Sequence, residues 1–197
     1  FGLILPKNTG YYYEGKTYRR ILSDRLKEVG IIDPEKDERF EKAMKDTSIW
    51  TKKLSEGAKL EKVPYVEDLI KALIKRGHMV GLLTGNPKEV SKVKLQYVGL
   101  WEYFKVGAFG SESKVRADLV PLALKHAKEK FNADFPKKEV FLIGDTLEDI
   151  KCAKEGGVKI IAVATGKEDF EQLKSENPDF VFKDFSNPSE ILKIIES

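Results

Sequence analysis

The sequence predicts an α/β fold: a parallel sheet covered by helices on both faces, joined to a small helical insertion. Three observations carry this expectation. From residue 63 onward, short apolar runs alternate with helical segments whose apolar residues recur at i, i+3 and i+4. The runs are continuously apolar, which suits strands buried on both faces of a parallel sheet. Residues near 11–60, by contrast, read as helix without any strand, so they form a separate helical piece. At 197 residues the chain is about one domain long and buries a substantial core.

Along the chain, residues 1–5 (Phe-Gly-Leu-Ile-Leu) are a short strand or the tail of one, ended by Pro6. Residues 6–15 are turn-rich, with Pro6, Asn8, Gly10 and Gly15 around Tyr11, Tyr12 and Tyr13. Helices are expected over 16–29, closed by Gly30, and over 35–55, opened by Asp33-Pro34. They carry Tyr18, Phe40 and Trp50. Val66, Leu69, Ile70, Leu73 and Ile74 line a helix ended by Gly77, and 78–84 reads as a buried strand. A helix after Pro87 turns Val90, Val93 and Tyr97 to one face. A short strand over 105–109 leads to a long helix over 116–131, with Leu119, Leu122, Ala123, Ala127 and Phe131 facing inward. Strands over 139–143, 159–163 and 179–182 alternate with helices over 147–155, 168–176 and 188–196.

Composition narrows the function. The net charge is +3, from 35 basic and 32 acidic residues, without the clustered basic excess of a dedicated nucleic-acid binder. No apolar run reaches the roughly 18 residues of a membrane span, and no basic–apolar–small leader opens the chain. A cytoplasmic protein is the default expectation. The single cysteine, Cys152, excludes an intramolecular disulfide and a multi-cysteine zinc site, and its helix position makes it a core residue. His78 and His126 read as structural, and no Gly-x-Ser-x-Gly elbow accompanies Ser111 or Ser113. Lysine supplies 29 of the basic residues and only two glutamines occur, a usage found in heat-adapted proteins.

Ligands of such sheets bind at the carboxyl ends of the strands, so the polar residues there carry the chemistry. The first such end is Leu82-Leu83-Thr84-Gly85-Asn86-Pro87. Thr84 offers a hydroxyl at the strand tip, Gly85 a tight turn, Asn86 a helix cap and Pro87 a first helical position. The exposed N–H groups of the next helix would favour an anion such as phosphate. Ordinary strand–turn–helix capping explains the same residues. The second end is Ile143-Gly144-Asp145-Thr146-Leu147-Glu148-Asp149. Asp145 and Asp149 are four residues apart and can share one helix face, a pairing that suits Mg²⁺. First-turn acids that stabilise a helix start are the plain alternative. Between the two lies Gly110–Asp118, where Lys114 and Arg116 precede the long helix. Either cation could balance a bound phosphoryl group.

Taken together, an apolar strand ending in Thr-Gly-Asn, a lysine four residues before Asp118, and an apolar strand ending in Gly-Asp-Thr-x-x-Asp resemble the haloacid dehalogenase-like hydrolase superfamily. The resemblance is to its phosphoglycolate-phosphatase-like branch, and its motifs span about 63–165. It implies a Rossmann-like core formed by 1–10 and 63–197, with a helical cap over 11–62. It further implies a Mg²⁺-dependent phosphatase of a small phosphorylated metabolite, working through an aspartyl-phosphate intermediate. Thr84 would bind the phosphoryl oxygens, with Gly85 and Asn86 beside it. Lys114 would balance phosphate charge, favoured over Arg116 by its spacing to Asp118. Asp145 and Asp149 would hold Mg²⁺.

One departure stands out. The family's first motif, a strand ending in Asp-x-Asp whose first aspartate is the nucleophile, does not occur in these 197 residues. Either Gly2-Leu3-Ile4 is the remnant of the motif's end, with both aspartates upstream of Phe1, or Pro6 and Asn8 replace them. The first placement is favoured, and it predicts an upstream strand bearing the Asp-x-Asp pair. The second makes the chain a binding or regulatory relative without catalysis. A haloacid dehalogenase is a third reading. The acidic Gly-Asp-Thr-Leu-Glu-Asp segment counts against it, because the dehalogenases need no metal.

Overall fold

The structure, a computed structural model, describes residues 13–55 and 59–197, without the side chains of 47, 48, 50–52, 54 and 55. The expected strand at 1–5, Tyr11 and Tyr12, and the side chain of Trp50 therefore lie outside the described residues. The helices are α1 (Tyr18–Glu28), α2 (Arg39–Ser55), α3 (Val66–Lys75), α4 (Lys88–Tyr97), α5 (Leu119–Phe131), α6 (Leu147–Gly156), α7 (Phe170–Ser175) and α8 (Pro188–Ile195). The strands are β1 (Gly81–Thr84), β2 (Val106–Phe109), β3 (Phe141–Gly144), β4 (Lys159–Val163) and β5 (Phe180–Phe182).

All strand pairings are parallel, as the continuous apolar runs predict. β1 pairs with β2 from Gly81–Val106 to Thr84–Phe109. β4 pairs with β3 on one side and β5 on the other. Successive β4 side chains point to opposite faces. Ile160 and Ala162 pack with Val120 of α5 and with Ile150 and Ala153 of α6. Ile161 and Val163 pack with Leu69 and Leu73 of α3 and with Ile191 and Leu192 of α8. Helices thus cover both faces. The sheet differs from a continuous one in a single respect: among the described residues, β1–β2 and β3–β4–β5 are two separate ladders. The same helical layers nonetheless span both. Leu83 of β1 packs against the cluster that holds Leu142 of β3, and α5 touches β1, β2 and α6.

The helical segment before residue 56 has its own small core of Leu26, Phe40 and Met44, ringed by Tyr18, Leu22 and Ile31. Thr17 caps α1 by accepting the Arg20 N–H, and Pro34–Lys36 makes a short 3₁₀ turn before α2.

Several sequence expectations need correction. The 78–84 run pairs only from Gly81, and the 139–143 run only from Phe141, after a 3₁₀ turn at Lys137–Glu139. Residues 116–118 are likewise 3₁₀, so α5 starts at Leu119. Tyr97 and Phe131 are exposed rather than inward, because each stands at the last turn of its helix, past the edge of the layer. Asn86 does not cap α4: Pro87 takes that position and offers no side-chain cap.

Candidate active site

The carboxyl ends of β1 and β3 present the predicted polar residues. Thr84 is the last residue of β1. Its Oγ accepts the Asn86 backbone N–H at 3.2 Å and the Asn86 side-chain amide at 3.3 Å. Asn86 thus folds back onto Thr84. The turn is tight because Gly85 and Gly110 meet backbone to backbone. A Cβ on Gly110 would overlap the Gly85 carbonyl, and one on Gly85 would overlap the Lys16 carbonyl. Gly110 donates its N–H to Asn86 O at 2.9 Å, which joins the β1 and β2 loops.

The start of α1 closes over these loops. Tyr18 N–H donates to Gly85 O at 2.7 Å and Arg19 N–H to Gly110 O at 2.8 Å. The Thr17 hydroxyl donates to Lys114 O at 3.0 Å, and Arg19 Nε to Ser111 O at 2.9 Å. Thr17 is fully buried in this contact.

Asp149 is the most heavily engaged acid. Its Oδ1 takes the Arg116 guanidinium at 2.5 Å. Its Oδ2 accepts the Thr146 hydroxyl at 2.8 Å and the Asp145 and Thr146 backbone N–H groups at 3.2 Å. Thr146 in turn caps α6 by accepting the Asp149 N–H, which completes a capping box. Asp145 follows β3 immediately, and its carboxylate lies against Gly166 of the loop after β4. Burial, reinforced by the neighbouring Asp149 and Glu168 charges, pushes the Asp145 carboxyl above the ordinary aspartate range.

The two candidate cations part company. Arg116 reaches inward: one Nη donates to Gly15 O at 2.8 Å, the other binds Asp149, and its Nε is buried without a partner among the described residues. A Cβ built on Gly85 would also stand 3.0 Å from Arg116 Nη1. Lys114 instead extends to Glu35 of the turn before α2, at 2.9 Å. The structure therefore joins Thr84, Gly85, Asn86, Arg116, Asp145 and Asp149 in one contiguous rim. It sets Lys114 at the edge of that rim, on the helical segment.

Two further residues belong to this neighbourhood. Glu168 is 8% exposed. Nothing in its local pattern, a charged residue in Gly-Lys-Glu-Asp, separates it from a solvated acid, so no sequence signal marks it. Arg19 is equally silent as one basic residue on an amphipathic helix. Cys152 and His126 are engaged in packing and backbone contacts. Burial pushes the Cys152 thiol up to about 12, and the thiol rests on Arg116 O at 3.3 Å, so it is no nucleophile. His126 sits with Nδ1 2.8 Å from Gly107 O on the far edge of β2.

No group of three or more His, Cys, Asp or Glu side chains stands ready for a metal among the described residues. Any fit to Mg²⁺ therefore rests on single acids. Asp145 fits: among the described residues no other side chain donates to its half-buried carboxylate, and a hard cation that keeps several waters needs few protein oxygens. Asp149 fits less directly, since protein donors already engage both of its oxygens.

Comparison with known proteins shows what the chain is similar to. A family model described as HAD-hydrolase-like matches residues 115–188, which include the Asp145–Asp149 segment. A phosphoglycolate phosphatase from Vibrio vulnificus (strain YJ016) is 31% identical over 118 residues, 60% of this chain and 50% of that protein. The chain thus spans about half the length of the curated relatives it matches. A solved structure from Bacteroides vulgatus, named for a β-phosphoglucomutase, aligns with a TM-score of 0.66 at 16% identity. It covers 95% of this chain and 73% of that one. A haloacid dehalogenase-like family hydrolase from Streptococcus pneumoniae aligns at 0.55 and 20% identity, covering 66% and 58%. The two solved structures speak for the fold alone. The family model over residues 115–188, the curated relatives and the motif-bearing strand ends all liken the chain to the haloacid dehalogenase-like hydrolases.

Proposed function

We propose that the protein serves Mg²⁺-dependent hydrolysis of a small phosphate ester, with the strand-end rim as its phosphoryl site. The observation that carries the reading is the contiguity of that rim. The hydroxyl-bearing tip of β1, an inward arginine from the β2–α5 connection and two acids of the β3–α6 unit meet although 61 residues separate Thr84 from Asp145. In this reading Thr84, Gly85 and Asn86 position the phosphoryl oxygens, and Arg116 and Lys114 supply positive charge. Asp145 holds Mg²⁺, and Asp149 stands behind it, fixing the Asp145 backbone and Arg116. The ion would stabilise charge on the phosphoryl oxygens. The helical segment of 11–62 is proposed as the cap that selects the ester.

The covalent route of the family needs a nucleophilic aspartate, which splits one difficult step into two easier ones. We place it on a strand seated between β1 and β3, each of which has one edge unpaired among the described residues. A strand parallel to both would end between Thr84 and Asp145. The 197 residues contain no Asp-x-Asp, so on their own they bind phosphate and Mg²⁺ without appreciable turnover.

Isothermal titration with Mg²⁺ and inorganic phosphate, alongside a p-nitrophenyl phosphate assay, tests the reading. Phosphate binding is expected to strengthen with Mg²⁺, to weaken in Thr84→Val and to lose its Mg²⁺ dependence in Asp145→Asn. Metal-independent phosphate binding that ignores both substitutions would sink it. Measurable turnover by the 197 residues would relocate the nucleophile. Absence of Asp-x-Asp also favours a second reading, a metal- and phosphate-binding relative without catalysis. Turnover by a longer polypeptide carrying an Asp-x-Asp strand decides between them. Release of chloride from 2-chloropropionate without Mg²⁺ would revive the dehalogenase alternative.

A further inference from the structure

Two cations, one from the helical segment and one from the β2–α5 loop, converge on a single carboxylate. Glu35 Oε2 lies 2.9 Å from Lys114 Nζ, and Glu35 Oε1 lies 3.4 Å from Arg19 Nη1. Arg19 does not depend on Glu35 for its position. Its Nε donates to Ser111 O at 2.9 Å, its other Nη pairs with Glu41, and its guanidinium stacks 5.2 Å from the Phe40 ring centroid. Lys114 has a fixed backbone, through the Thr17 hydroxyl on its carbonyl, and a side chain that pairs with Glu35, with Asp33 also within electrostatic reach. Glu35 itself is carried by the short turn Pro34–Lys36, not by a long helix.

We propose that Glu35 is a built-in competitor for Lys114. Its carboxylate occupies a two-cation seat, and an oxyanion of the ligand displaces it. The proposal rests on the reading of the rim as a phosphoryl site, because the Lys114 loop borders that rim. The energetics favour exchange. The Lys114 and Glu35 side chains are each about one-third exposed (31% and 32%), and ion pairs of that kind contribute little. A phosphate carries more charge than a carboxylate and offers more acceptors to the same two donors. Arg19, held by Ser111 O, and the Lys114 backbone, held by Thr17, stay in place when Glu35 leaves, so both donors of the seat remain for the incoming oxyanion. The pair then sets ligand affinity and its salt dependence from a residue that does not touch the reacting atoms.

The test uses the 197-residue chain, inorganic phosphate as the probe and calorimetric titration at low ionic strength. Glu35→Gln keeps size and polarity but removes the internal anion. Phosphate affinity is expected to rise about fivefold, the equivalent of one exposed ion pair, and the gain is expected to vanish in Glu35→Gln/Lys114→Met. Glu41→Gln is the control: it removes an equal charge from Arg19 without touching Lys114, and should leave affinity unchanged. Unchanged affinity in Glu35→Gln overturns the proposal, and so does an equal gain in Glu41→Gln. So does a gain that persists without Lys114. Thr84→Val separates this idea from the functional reading. If phosphate binding ignores Thr84→Val but keeps the Glu35–Lys114 coupling, the competitor stands and the strand-end site falls.

Discussion

Asp145 and Asp149 stand four residues apart and meet opposite surroundings. Asp149 is surrounded by donors, whereas Asp145 is desolvated beside other acids. The folded state therefore binds a proton on Asp145 more tightly than the unfolded chain does. By linkage, the stability this gives is fully present below the ordinary aspartate range and lost as pH rises through the raised folded value. Asp145→Asn is thus expected to melt higher than the parent at neutral pH, with the two converging as pH falls toward the ordinary aspartate range. Calorimetric melting across that range checks it, and a parent at least as stable at neutral pH refutes it. Asp149→Ala should act the other way. It strips Arg116, itself only 14% exposed, of its counter-charge and removes half of a capping box. We expect a loss of about 3 kcal/mol in denaturant unfolding. A loss below about 1 kcal/mol would mean that Arg116 finds water or another acceptor.

At the scale of elements, the helical segment hangs on very few apolar side chains. Phe40 is completely buried, and its cluster contains only Leu26 and Met44 as other buried members among the described residues. Phe40→Ala should cost about 3–5 kcal/mol of local stability. It should also free Arg19, whose guanidinium stacks on that ring. Proteolysis confined to α1 and α2, with α3–α8 intact, would report this; uniform cleavage would contradict it. Most elements are legible in the sequence because apolar periodicity survives wherever a face is covered. Their ends are not. The run from His78 reads as strand, yet Met79 is exposed and pairing begins only at Gly81, because apolar character does not report hydrogen bonding. The strand-end motifs are legible for a different reason: Thr84, Asp145 and Asp149 stand at defined offsets from apolar runs. The partners of Lys114 and Arg116 are not legible. They depend on Glu35 and Asp149, 79 and 33 residues away in sequence, and spacing along one loop carries no information about either.

At the scale of the whole molecule, the apolar pattern predicts parallel strands but not their order, since every buried strand reads alike. The order matters because it leaves β1 and β3 each with one edge unpaired among the described residues. Amide exchange should report those edges. β4 has ladder partners on both sides, and Ile160, Ile161 and Ala162 are wholly buried, so its amides open only with global unfolding. β1 is paired with β2 alone among the described residues, and in a parallel ladder alternate N–H groups point away from the partner. Exchange read by mass spectrometry should therefore show full protection over Ile160–Val163. Over Gly81–Thr84 it should show a fast-exchanging fraction. A longer polypeptide with an Asp-x-Asp strand should lose that fraction, together with the corresponding one in Phe141–Gly144, as the new strand pairs with both edges. Equal protection of β1 and β4 in the 197 residues alone would place a strand along the β1 edge already. An unchanged fast fraction in the longer polypeptide would remove the proposed seat for the nucleophile.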